Sequence, residues 1–493
     1  MATLFSHGES NWYYFDEAWF RDRIMQIYDS DLPETVADCS FTCLAFAAFA
    51  LSSQFMHIWP NFQGSIGVSG EADLADEGFP GMTYFQNAQR LMPSLLSTCS
   101  LESLQSCLLT ALYVLPAHST KMAYTYLGLA MRIGIALGLH SKTADVLSPV
   151  IVENNCRVFW TTYSIERRLS ISLGYPEMLQ EREISCPLPQ RRNDLDAPDS
   201  LKVERLIAHT KLLLLFNEVI QVSIRERLLL WKEDLPPALQ AFDQDCLRAN
   251  VHLQLQYHIV WVCLGRAALL QLVRRSIMSK ETETNKNPVE STPLGLDLTY
   301  PCVRSAYEII DLIGLLRRYQ QLARFSHTDF RTCCCATIIV ILDSILYPTV
   351  RASSKAAEAF DALQYMTFGN EHARSSLKYI ESFLEIVNSA LAKFHCRQPL
   401  QSTFHRSSEV RGFDSCSTSD EKNNRRDDHE NSSPMAGSNL ETMQEWRSEG
   451  GNPCQRAVAD FDGLEFGLDN IEALLNDCPP MDLHFLGLGD FHM

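Results

Sequence analysis

The amino-acid sequence predicts an all-α protein: one large helical domain, then a disordered linker and an acidic C-terminal tail. Three observations predict it. Apolar residues recur with a helical period from about residue 10 to residue 395, while period-2 alternation and any βαβ rhythm are scarce. Composition turns polar after Cys396, and from Asp460 onward acids alternate with large apolar side chains.

A chain of 493 residues, 46% hydrophobic and 21% charged, is long enough to bury a substantial core. The formal net charge of -18 argues against unaided binding to duplex DNA, because phosphate contact needs a basic surface. Basic density is confined to short pairs such as Arg191-Arg192, Arg274-Arg275 and Arg317-Arg318. No strong direct DNA binding is therefore expected from this chain alone. The 16 cysteines are scattered, and no two form a C-x-x-C pair. Cys333, Cys334 and Cys335 are adjacent, so on a helix their thiols diverge rather than converge on an ion. They read as buried thiols in a reducing compartment, and neither a metal nor any other cofactor is expected.

Residues 1–39 form an acidic segment leading into the domain. Through residue 38 it holds eight acids against Arg21 and Arg23, and it lacks the apolar stretch of a secretory signal. The greasiest runs, Leu44 to Leu51 and Cys333 to Leu342, fall short of the ~20 apolar residues a membrane span needs, so no membrane partner is expected. Residues 40–396 make the helical domain, with loops expected at 61–81, 190–200 and 279–296.

Three consecutive helices within residues 100–189 are the most informative part. The first, about Leu101 to Leu115, sets Leu101, Leu104, Leu108, Leu112 and Leu115 at helical spacing and stops before Pro116. The second starts near Ser119 or Thr120 and carries Ala123, Leu127, Ala130, Gly134 and Leu137 on one face, with Gly138 suited to a left-handed cap. The third, about Asn154 to Leu173, aligns Val158, Thr162, Ile165, Leu169 and Leu173 before Gly174. Glu153 and Arg157 stand four residues apart and are expected to pair on the helix surface, for ~0.3–0.5 kcal/mol. His140, just past a glycine stop, reads as a capping or packing residue.

Read literally, the segments are SLESLQSCLLTALY from Ser100, YLGLAMRIGIALGLH ending at His140 and ENNCRVFW from Glu153 to Trp160. They continue with YSIER from Tyr163 to Arg167, LGYP from Leu173 to Pro176 and ISCPLP from Ile184 to Pro189. In order and spacing they resemble the fungal-specific transcription factor domain, the middle regulatory region of binuclear zinc-cluster regulators. The family pattern departs here at Asn155 and Cys156, where arginines are usual, at Glu166 for Asp, and at Tyr175 for Arg. The resemblance implies a nuclear transcription regulator, commonly tied to one metabolic pathway or secondary-metabolite gene cluster and sometimes responsive to metabolites. It also implies six cysteines in two C-x-x-C-x6-C halves ahead of the domain, which this sequence does not contain. Either the chain works through a DNA-binding transcription factor as partner, or its start is assigned too late, or the segment encoding the cluster has been lost. A homo- or heterodimer fits the same expectation.

Residues 397–456 hold too little apolar area to offset the entropy of ordering and read as a disordered linker. Residues 457–493 read as an activation segment. From Asp460 it contains eight acids and no Lys or Arg, and Leu464, Leu468, Ile471 and Leu475 share one helical face. With Phe461, Phe466, Phe485 and Phe491 they are the expected contacts to a coactivator groove. No G-x-S-x-G, H-E-x-x-H, G-x-G-x-x-G or P-loop occurs, so the chain is not expected to be an enzyme. The competing reading is a helical scaffold or adaptor without transcriptional activity.

Overall fold

A computed structural model describes residues 2–8, 11–29, 36–59, 79–116, 120–142, 147–217, 224–281 and 293–394. Their α-helices, in chain order, are α1 (Ala2–His7), α2 (Glu17–Asp29), α3 (Val36–Ser53), α4 (Met82–Thr98), α5 (Leu101–Val114), α6 (Thr120–Ala136) and α7 (Pro149–Leu173). There follow α8 (Lys202–Asn217), α9 (Ile224–Glu233), α10 (Pro237–Gln240), α11 (Leu247–Glu281), α12 (Pro293–Arg318), α13 (His327–Leu346), α14 (Val350–Thr367) and α15 (Glu371–Phe394). Two 3-10 turns, Met56–Ile58 and Glu181–Glu183, complete the regular structure, and no strand occurs among the described residues.

The all-α class is as the periodicity predicts, and α5 shows why. Ser100 caps it, with its hydroxyl accepting from Ser103 N at 3.2 Å while Ser103 Oγ accepts from Ser100 N at 3.3 Å. Every residue from Ser103 to Val114 is buried, so α5 is enclosed on all sides rather than along one stripe. α3 packs on one side and α6 on another. Gly134 of α6 allows the close approach, since a Cβ there would lie 3.1 Å from Leu104 Cδ1. Two side-chain amides cross the fold here: Gln105 Nε2 donates to Tyr14 O at 2.7 Å, and Gln54 Nε2 to Tyr113 O at 2.7 Å.

Four expectations are corrected. α6 ends at Ala136, and Leu137 is 39% exposed rather than on the buried face, because Gly138 (φ 72°) turns the chain away. α7 begins at Pro149, five residues before Asn154, because Ser148 caps it and proline suits the first turn; it ends at Gly174 (φ 66°) as expected. The Glu153–Arg157 pair lies in the interior, not on the helix surface. The residue-40 boundary falls inside α3, and the core begins earlier, with Leu4, Tyr14, Phe15 and Phe20 in the same apolar cluster as Leu104 and Phe159. Composition near the N-terminus is dominated by acids that keep contact with water, whereas the aromatics between them carry the packing.

α11 runs against α12 and α13, and α13 to α15 stack beyond them. Gly265 sets the α11–α12 distance: a Cβ there would lie 2.3 Å from Leu298 O. Cys333, Cys334 and Cys335 of α13 are all buried, and burial pushes the Cys333 thiol up to about 12. Among the described residues no helix is long and apolar enough to cross a membrane, and no three His, Cys, Asp or Glu side chains gather to hold a metal. The linker 397–456 and the tail 457–493 lie outside the described residues, as does most of the expected loop at 61–81.

Candidate ligand cleft and the residues that frame it

α7 presents Arg157 to the segment that follows the Ile184–Pro189 stretch. Its Nε donates to Glu153 Oε1 at 2.8 Å, and its two Nη atoms grip Asp196 at 2.8 and 2.7 Å. Nη2 also reaches Gln190 O at 2.8 Å. The carboxylates are bonded in turn: Glu153 Oε1 accepts from Gln190 N at 2.9 Å and Asp196 Oδ2 from Arg192 N at 2.8 Å. Burial by itself would lower the Arg157 pKa, but the bonds and charges of Asp196 and Glu153 outweigh it and hold the guanidinium charged. Burial works against Asp196 likewise, and Arg157 with the Arg192 amide holds its carboxyl below the usual range. This pairing is fixed and desolvated, unlike a surface pair.

The positions where the family pattern has arginine are used differently here. Cys156 Sγ donates to Pro187 O at 3.0 Å, and Trp160 Nε1 donates to the same oxygen at 2.6 Å. Ser185 N and Cys186 N both donate to His140 O, at 2.9 and 3.0 Å, so His140 serves through its backbone, in keeping with a packing role. Glu166 is buried; burial raises its pKa, and Ser170 Oγ donates to it at 2.7 Å.

Beside the Arg157 network lies a cleft of about 410 Å³. Its walls include Phe5, Trp12, Tyr13 and Leu206, and charged groups such as Glu17 and Lys202 stand at its edge. Tyr13 lies under Arg157, with the guanidinium carbon 5.4 Å from the ring centroid, and its hydroxyl donates to Asn154 Oδ1 at 2.8 Å. Lys202 Nζ sits 5.4 Å from the Phe5 centroid. No histidine or cysteine is among the described lining residues. The cleft can bind an amphipathic group through aromatic faces, and among its described lining residues no nucleophile is paired with a base.

A second buried charge cluster joins α11 to α13. Asp329, fully buried, accepts from Arg248 Nη1 at 2.7 Å, from His252 Nε2 at 2.7 Å and from Ala323 N at 3.0 Å. Burial would raise its pKa, but Arg248 and His252 hold the carboxyl well below the usual carboxylate range. Arg248 also donates to His7 O at 2.9 Å and Gln321 O at 2.8 Å, so one side chain ties α1, α11 and the turn before α13.

The residues predicted as coactivator contacts, Phe461, Leu464, Phe466, Leu468, Ile471, Leu475, Phe485 and Phe491, lie outside the described residues. Periodicity passed over Trp12, Tyr13, Asp196 and Asp329. The aromatic run Trp12 to Phe15 inside an acidic segment was the available signal for the first two.

Residues 11–230 match the fungal specific transcription factor domain. Among curated proteins, the chain is 26% identical over 407 residues to an uncharacterized transcriptional regulatory protein of Schizosaccharomyces pombe, covering 78% of this chain and 48% of that one. A thiamine repressible genes regulatory protein of the same organism is 24% identical over 417 residues, covering 77% and 49%. The activator of stress genes 1 of Saccharomyces cerevisiae is 23% identical over 470 residues, covering 82% and 47%. The chain thus spans about half the length of the curated relatives it matches.

Proposed function

We propose that this chain, which carries the fungal specific transcription factor domain over residues 11–230, regulates transcription and reaches DNA through a DNA-binding partner protein. The observation that carries this reading is the domain match, extended over most of the chain by relatives named as a transcriptional regulatory protein and a genes regulatory protein. The net charge of -18 favours DNA contact through a partner. The gene sets in two relatives' names, thiamine repressible genes and stress genes, favour a pathway-specific role, such as one metabolic or secondary-metabolite gene cluster. A nuclear site of action follows from the same reading.

Residues 457–493 are the proposed activation segment. Its acids would keep it solvated and speed encounter, while Phe461, Leu464, Phe466, Leu468, Ile471, Leu475, Phe485 and Phe491 would supply contact area to a coactivator. The test is the full chain fused to a foreign DNA-binding domain and read on a reporter. Activation is expected; alanine at those eight positions should abolish it, and neutralising two or three acids should reduce it less. A silent fusion overturns the activator reading and favours a helical scaffold. In a gel shift at physiological salt, the purified chain alone is expected not to retain duplex DNA.

A further inference from the structure

Cys156 of α7 and Cys186 of the Ile184–Pro189 stretch are far apart in sequence, yet their sulfurs meet at one oxygen. Cys156 Sγ donates to Pro187 O at 3.0 Å, and Cys186 Sγ donates to the same atom at 3.5 Å. The two thiols also hydrogen-bond each other, and both are free. Cys43 and Cys107 interact in a comparable way, but both are shut off from water. The Cys156–Cys186 pair instead lies at an edge. Cys156 is 3% exposed and Cys186 is 9%, and Ser185 and Pro187 on either side of Cys186 are exposed. A small oxidant therefore reaches Cys186 first. The pair is asymmetric in its protons as well. The hydrogen bond with Cys186, then burial, then the charge of Cys186 push the Cys156 thiol well above its usual range. Cys156 thus keeps its proton, and Cys186 is the sulfur placed to attack.

We propose that Cys156 and Cys186 form a reversible disulfide, with a hydroperoxide as the oxidant, that clips the segment framing Arg157 and the cleft onto α7. The Cys186 thiolate attacks one peroxide oxygen. An S–O bond forms, the O–O bond breaks, and the other oxygen takes up a proton and leaves as the alcohol, or as water from hydrogen peroxide. The peroxide is reduced, and Cys186 becomes a sulfenic acid. The Cys156 sulfur then attacks the Cys186 sulfur. The S–S bond forms, the S–O bond breaks, and the hydroxyl departs with the Cys156 proton as water. The product takes two donors from Pro187 O and leaves it Trp160 Nε1, at 2.6 Å. In exchange it ties to α7 the chain whose Gln190 amide and carbonyl bond Glu153 and Arg157, and whose Asp196 lines the cleft. Exchange with a thiol reductant restores the pair, which suits a transient bond in a reducing compartment.

The test is independent of transcription. The purified full chain is reduced, freed of reductant and exposed to hydrogen peroxide, then alkylated in denaturant and digested with trypsin without reduction. Cys156 falls in the tryptic peptide 143–157 and Cys186 in 183–191, and neither peptide holds another cysteine. Mass spectrometry should find these two peptides joined, and dithiothreitol should separate them. Cys156→Ser and Cys186→Ser should each abolish the joined product. In Cys156→Ser the sulfenic acid has no partner thiol, so dimedone should trap it on Cys186; in Cys186→Ser no dimedone is expected on Cys156. Trypsin acting on the native chain should cut after Arg191 and Arg192 about tenfold more slowly in the oxidised form, a difference absent from both serine variants. The exposed Cys99 reports that the peroxide has acted. Oxidised Cys99 without the joined peptides, an equal yield of them from chain oxidised in denaturant, dimedone on Cys156, or equal cleavage of the oxidised and reduced native forms overturns the proposal.

Discussion

Asp329→Asn removes the only carboxylate bonded to Arg248 and His252 among the described residues while keeping the side chain's size and one carbonyl oxygen. Arg248, its side chain 2% exposed, would then face only the neutral acceptors His7 O and Gln321 O. Leaving a buried charge without its partner costs about 3–5 kcal/mol, and the retained carbonyl places this change near the lower end, about 3 kcal/mol. Urea denaturation of the full chain, followed by helical circular dichroism, measures it. Arg248→Met alone should cost a similar amount, and the double variant should lose about 1–3 kcal/mol less than the sum, because each single change strands the other group. The pH dependence has a definite sign. The Asp329 pKa is depressed on folding, so its stabilisation is present above the ordinary carboxylate value of about 4 and is lost as pH falls toward the folded value. The gap between wild type and Asp329→Asn should therefore narrow below about pH 4. A loss under about 1 kcal/mol, strict additivity in the double variant, or a gap that stays constant on acidification would refute the reasoning.

Arg157→Met should cost about 3–5 kcal/mol by stranding Glu153 and Asp196, and limited trypsin digestion should show faster cleavage at Arg191 and Arg192. Gly265→Ala should lower the melting temperature far more than Gly138→Ala. The first puts a Cβ 2.3 Å from Leu298 O and 2.4 Å from Cys302 Cβ, for about 3 kcal/mol or more. The second meets open space and bears only the strain of positive φ, about 1 kcal/mol. Alkylation of the native chain at mildly alkaline pH, read by peptide mass spectrometry, should label the exposed Cys99 before Cys43, whose thiol burial pushes up to about 12.

Much of the helical order was legible because it rests on local signals. Ser100 before Leu101 marks a start through its capping hydroxyl, and Gly138 after α6 and Gly174 after α7 mark ends through their positive φ. The start of α7 was missed although Ser148-Pro149 carries a cap and a first-turn proline; the apolar face simply becomes regular later. What could not be read were the long-range pairings. Asp196 is 39 positions from Arg157, and Asp329 is 81 from Arg248, so no spacing rule joins them. Arg157 itself looked like half of a surface pair because Glu153 lies one turn away, and only the fold of residues 187–196 over it makes the pair internal. The N-terminal contribution was hidden for a related reason: four aromatics from Trp12 to Phe15 have no helical period, yet Tyr14 and Phe15 reach the core.

These placements give α7 a particular position in the molecule. Arg157 frames the cleft and Arg168 lines a smaller cavity beside α13, eleven residues along one uninterrupted helix, or roughly 16 Å apart along its axis. Trp12 is the other link. It lines the cleft, while its ring stands 5.7 Å from the Arg168 guanidinium carbon and 5.0 Å from the His209 ring. A ligand that moved Trp12 in the cleft would therefore move a group packed on Arg168, so that occupancy of the cleft acts along α7 as far as Arg168.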